Sequence, residues 1–89
     1  MKILITGATG FIGYHTARSL RARGHEVRAL VRSLDKAERV LGPLGVANQD
    51  LVEGDMTDGR AVDRSLEGVG AVVHAAAGVS VTTGRTDFS

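Results

Sequence analysis

Cysteine and tryptophan are absent from this 89-residue chain, and it holds only two phenylalanines, one tyrosine and one proline. Without thiols there is no disulfide, no thiolate metal site and no cysteine nucleophile, a usage that fits a reducing compartment. The aromatics Phe11, Tyr14 and Phe88 sit in no stacking motif, so a nucleic-acid partner is not expected. Long apolar runs are missing too. Stretches such as 71–73 and 75–77 are far too short to span a bilayer. Lys2 leads at once into strand-like residues and glycines rather than into the apolar core of a signal peptide. The expectation is a soluble, cytoplasmic protein with no membrane partner and no metal, since His15 and His25 lack a ligand spacing.

What is present is a globular composition, 43% apolar and 24% charged, enough for one compact domain. The net charge of +1 conceals an asymmetry. Seven basic and three acidic residues lie between Arg18 and Arg39, whereas six acidic and two basic residues lie between Asp50 and Glu67. Amphipathic helices wear solvated charges of this kind; part of the basic segment facing an anionic ligand is the sharper alternative.

Short apolar runs alternate with longer amphipathic stretches, the pattern of β-α-β units. Residues 3–6 form a branched run suited to a strand covered on both faces. A glycine-rich turn follows, then a helix over about 11–23 with Ile12, Thr16 and Leu20 on one stripe, stopped by Gly24. A second strand covers 27–31. Ser33 caps a short helix over 34–41, which Gly42 and Pro43 end. A third strand at 50–53, a helix at about 58–66 and a fourth strand from 71 to about 76 complete the pattern. Residues 79–89 are polar and aperiodic and read as a loop or tail. Right-handed crossovers place the strands in the order 3-2-1-4, a partial doubly wound α/β sheet of about four parallel strands with helices on both faces.

Thr6-Gly7-Ala8-Thr9-Gly10-Phe11-Ile12-Gly13 joins the first strand to the first helix. Gly7 permits a tight turn, Gly10 lets backbone amides approach a pyrophosphate at the positive end of the helix, and Gly13 lets the helix pack close to the sheet. An ordinary glycine turn is the bland alternative; the position between strand and helix favours nucleotide binding. The Gly-x-x-Gly-x-x-Gly spacing resembles the extended or atypical short-chain dehydrogenase/reductases, the NAD-dependent epimerase/dehydratase family. The resemblance runs from Lys2 to about Gly78 and implies a Rossmann-type half-domain over residues 1–78, cut off before any catalytic residues.

The position where NAD-specific members carry an acid for the ribose hydroxyl holds Val31, and Arg32 comes next. An arginine offers a 2′-phosphate a planar fork of donors, and each charge-assisted bond contributes about 1.5–3 kcal/mol, hence roughly 10- to 100-fold in favour of NADP, with NAD possible. Ser33 and Lys36 are near enough in sequence to help; a solvated strand-end charge is the other reading of Arg32. By resemblance, Asp55 meets the adenine amino group and Met56 lines the adenine pocket, though Asp55 could instead stabilise a turn. Ala75, Ala76 and Ala77 match the small residues that let the cofactor lie against the fourth strand, beside a structural His74.

The family's Tyr-x-x-x-Lys pair is not here: Tyr14 is followed four positions on by Arg18, and both lysines, Lys2 and Lys36, precede the fourth strand. Hydride transfer by this segment alone is therefore not expected. The resemblance leaves open a reductase, epimerase or dehydratase acting on a small alcohol, ketone or nucleotide sugar, or a non-enzymatic cofactor sensor. An unflanked fourth strand would also expose an edge through which the chain could form a homo-oligomer.

Overall fold

Strand β1 (Lys2–Thr6) buries four consecutive residues, Ile3 to Thr6, because both faces of the sheet are covered at its centre. The computed structural model describes residues 1–75 and 80–83. In chain order these form β1, α1 (Phe11–Ala22), β2 (Glu26–Val31), α2 (Leu34–Leu41), β3 (Leu51–Glu53), α3 (Gly59–Leu66), β4 (Ala71–His74) and β5 (Ser80–Thr83). Two 3-10 turns, Gly42–Leu44 and Asn48–Asp50, connect α2 to β3.

β1 pairs in parallel with β2 on one side and β4 on the other, and β3 pairs in parallel with β2. The parallel strands thus stand in the expected order, β3-β2-β1-β4. Period-two alternation sorts their side chains. Ile3, Ile5, Val27, Ala29 and Val31 join Ala17 of α1 with Ala37 and Leu41 of α2 in one cluster, while Leu4, Leu30 and Val72 meet Ala61 of α3 in the other. Right-handed connections account for the division: α1 and α2 serve crossovers in one direction and α3 the return from β3 to β4.

Three expectations change. Within the stretch read as a loop, Ser80–Thr83 is a strand, antiparallel to β4 with Ala71 opposite Thr83 and His74 opposite Ser80. It occupies the outer hydrogen-bonding edge of β4, so self-association through an open β4 loses its basis. The buried residues of α1 are Gly13 and Ala17, with Tyr14 and Leu20 partly buried, whereas Ile12 is 43% exposed. A helix pressed close to a sheet selects small side chains on that face, and hydrophobic periodicity does not register them. Asp50, expected in the third strand, closes the turn before it. Its Oδ1 accepts from Lys2 Nζ at 2.9 Å and from Arg28 Nε at 3.2 Å. Arg28 Nη1 also donates to the carbonyls of Ser65 (3.2 Å) and Glu67 (2.5 Å) at the end of α3. This buried network ties together the start of β1, the approach to β3 and the end of α3.

Helix ends follow local chemistry. Ser33 Oγ accepts from Lys36 N to cap α2, and Asp58 Oδ1 accepts from the amides of Arg60 and Ala61 to cap α3. Gly24, at φ 86°, turns the chain out of α1.

Candidate functional site

At the carboxyl end of β1, Gly7 takes φ 74°, a left-handed conformation that glycine enters without strain, and turns the chain back over the sheet. The Gly10 amide donates to the Gly7 carbonyl at 3.1 Å, closing the loop, and the Gly10 carbonyl accepts from Tyr14 N at 2.8 Å. Gly10 is extended (φ −79°, ψ 173°) and no side chain caps α1. First-turn amides of a helix have no intrahelical acceptor, so those of Phe11 and Ile12 face outward at the positive end of the helix.

The glycines differ in what they permit. A Cβ on Gly13 would overlap the Gly7 carbonyl oxygen and lie 2.7 Å from Ala8 Cα. The close approach expected there toward the sheet is instead to the backbone of the loop. A Cβ on Gly10 would meet only the Gly7 oxygen, at 3.4 Å, an ordinary contact. The chain's own packing leaves that position open on its outer side, as a cradle for an incoming group requires.

Beside the loop lies a cavity of about 370 Å³ at the carboxyl ends of β1, β2 and β3. Gly7, Ala8 and Thr9 form one wall, Arg32, Ser33 and Lys36 a second, and Gly54, Asp55 and Met56 a third, over buried Thr6, Leu30 and Val31. Sequence-distant candidates thus converge on one space. Arg32 Nη2 lies 3.3 Å from Asp55 Oδ2, with the arginine side chain 86% and the aspartate 44% exposed. Asp55 also has the turn role: its Oδ1 accepts from Thr57 N at 3.2 Å and its carbonyl from Asp58 N at 2.9 Å. Ser33 serves both as cap of α2 and as part of the wall. Of the seven basic residues between 18 and 39, Arg32 and Lys36 line this cavity. Arg21 is spent on the carbonyls of Leu44 and His25, and Arg28 on Asp50 and the end of α3.

Other candidates lie elsewhere. The Phe11 and Ile12 side chains sit on the outer surface of α1, Phe11 edge-on to His15 at 4.6 Å between ring centroids, so their contribution at the loop is their amides. Ala75 is buried and its amide donates to Thr6 O at 3.1 Å; Ala76 and Ala77 lie outside the described residues. His74 Nδ1 and Thr6 Oγ1 share a hydrogen bond of 3.0 Å, a satisfied pairing across β1 and β4. Ala8, Leu30 and Gly54 line the cavity without having been singled out. For Gly54 the sequence held a signal, its place between Glu53 and Asp55, but not the reason: a Cβ there would overlap that of Ala61 on α3.

These groups can hold an anion on backbone amides, grip a second anion with a guanidinium and an ammonium, and accept a hydrogen bond at a carboxylate. Such a set suits a dinucleotide bound across the carboxyl ends of parallel strands.

Comparisons with known proteins agree. The sequence profile of the NAD dependent epimerase/dehydratase family matches residues 3–87. A sterol demethylase protein B of Methylococcus capsulatus is 40% identical over 84 residues, 94% of this chain and 24% of that protein. A 3-beta-hydroxysteroid dehydrogenase of Mycolicibacterium neoaurum is 34% identical over 86 residues, 96% of this chain and 22% of that protein. Among solved structures, a nucleoside-diphosphate-sugar epimerase from Pseudomonas aeruginosa superimposes with a TM-score of 0.72 at 29% identity, covering 84% of this chain and 24% of that one. The chain spans about a quarter of the length of these relatives. It belongs to the NAD-dependent epimerase/dehydratase family.

Proposed function

We propose that residues 1–78 are the NADP-binding half-domain of a reductase, epimerase or dehydratase, with NADP preferred to NAD. The diphosphate rests on the loop of Gly7, Thr9, Gly10 and Gly13 and on the amides of Phe11 and Ile12. Arg32, Ser33 and Lys36 receive the 2′-phosphate. Asp55 and Met56 meet the adenine, and Ala75, Ala76 and Ala77 leave room for the ribose nearest β4. Bound there, the nicotinamide would supply hydride exchange, and the residues of this chain bind and orient it. The substrate of the whole protein is an alcohol, a ketone or a nucleotide sugar, in keeping with relatives named as a steroid dehydrogenase and a sugar epimerase. A cysteine-free chain suits the cytoplasm.

One observation carries the NADP reading. Arg32 stands at the wall of the loop's own cavity, while its neighbour Val31, where an NAD-specific acid would be, is an apolar residue only 5% exposed. A net gain of one charge-assisted hydrogen bond to a 2′-phosphate, about 1.5–3 kcal/mol, favours NADP by about 10- to 100-fold. Isothermal titration of the chain with NADP and NAD tests both levels. Binding of NADP at least tenfold tighter is the expected result; equal affinities would remove the preference, and no binding of either would remove the dinucleotide site.

A further inference from the structure

We propose that Asp55 sets the degree of NADP preference by acting as the internal counter-ion of Arg32, in competition with the 2′-phosphate of the ligand. The inference rests on the NADP reading above and adds a second specificity-determining residue to it.

Among the described residues, Asp55 is the only carboxylate within ion-pair distance of Arg32, at 3.3 Å. The two groups come from different elements, Arg32 from the end of β2 and Asp55 from the turn after β3, and they line the same cavity. Thr57 N donates to its Oδ1 at 3.2 Å, which leaves Oδ2 for the guanidinium. Arg32 is exposed, so water and salt screen the pair and its hold is weak. At Asp50, by contrast, two cations share one carboxylate that is only 10% exposed.

A phosphate monoester carries nearly two negative charges near neutral pH, so it outcompetes a single exposed carboxylate for the guanidinium. Arg32 then exchanges partners, and the Asp55 charge is left beside the incoming phosphate, where it repels. A dinucleotide without the 2′-phosphate triggers no exchange and meets no such repulsion. Asp55 therefore lowers the preference below what Arg32 alone would confer and leaves NAD usable.

The test is titration of the intact chain with NADP and NAD in the wild type, Asp55→Asn, Arg32→Ala and the double variant. Asparagine keeps the Oδ1 acceptor for Thr57 and removes the charge. Asp55→Asn is expected to raise the NADP-to-NAD affinity ratio about three- to tenfold at low salt, from the relieved repulsion and the lost competitor. The gain should shrink in 0.5 M salt, and it should shrink when Arg32 is already alanine. If Arg32→Ala lowers the ratio but Asp55→Asn leaves it unchanged or lowers it, the counter-ion role is refuted and the arginine reading stands. If Arg32→Ala does not move the ratio, the arginine reading falls and takes this inference with it.

Discussion

Gly13 packs against Gly7 so closely that a β-carbon on the first would overlap the carbonyl oxygen of the second. The first turn of α1 is thereby seated on the loop, and the direction of its free amides is fixed by backbone against backbone. Gly13→Ala forces the loop to shift and should cost about 1–3 kcal/mol, as overpacking in a buried site does. Gly10 is an internal control: it is extended, and its Cβ would touch only one atom at 3.4 Å. Gly10→Ala should change stability by less than about 0.5 kcal/mol yet weaken NADP binding tenfold or more. Urea denaturation with parallel titration separates the two; equal losses of stability would contradict the packing difference.

Asp50 offers a second test. Its carboxylate is 10% exposed and neutralises Lys2 and Arg28 together. Asp50→Ala leaves those cations facing each other in a poorly hydrated site and should lower stability by about 3 kcal/mol. Lys2→Ala should cost only about 1 kcal/mol, because Arg28 still pairs the carboxylate. The urea midpoints of the two variants report the ranking, and the reverse order would refute it.

Thr6 and His74 hold the ends of β1 and β4 together beside the loop. Thr6→Val conserves shape but leaves the half-buried Nδ1 of His74 without this partner, at a cost of about 1–2 kcal/mol. The same denaturation experiment measures it; an unchanged midpoint would mean the hydrogen bond adds nothing.

At the amino end of α3, Asp58 accepts from two backbone amides. Asp58→Ala should destabilise the chain by about 1 kcal/mol, and Asp58→Asn by less, since asparagine caps nearly as well. Amide hydrogen exchange in the first turn of α3 should quicken in the alanine variant and hardly change in the asparagine one.

The parallel strands, their order and the three helices among the described residues were legible in the sequence because local signals agreed: short, mostly apolar runs for β1, β2 and β4, Ser33 and Asp58 at helix starts, Gly24 at a helix end. The glycine loop between β1 and α1 was legible for the same reason, as a glycine pattern between two elements of known type. What escaped depended on distant partners. Ser80–Thr83 is a strand through its pairing with β4, which its polar composition does not announce. Asp50 is buried by cations 48 and 22 residues away. The Arg32–Asp55 pair joins residues 23 positions apart that become neighbours only when β3 lies beside β2.

The most direct measurement is a ¹⁵N–¹H correlation spectrum of the chain titrated with NADP. The amides of Phe11 and Ile12 should move progressively and saturably, together with those of Gly7 and Gly10, because the proposed function makes them the donors that meet the diphosphate. Shifts confined to residues away from this loop, or loop amides that stay in place while NADP binds, would contradict the account.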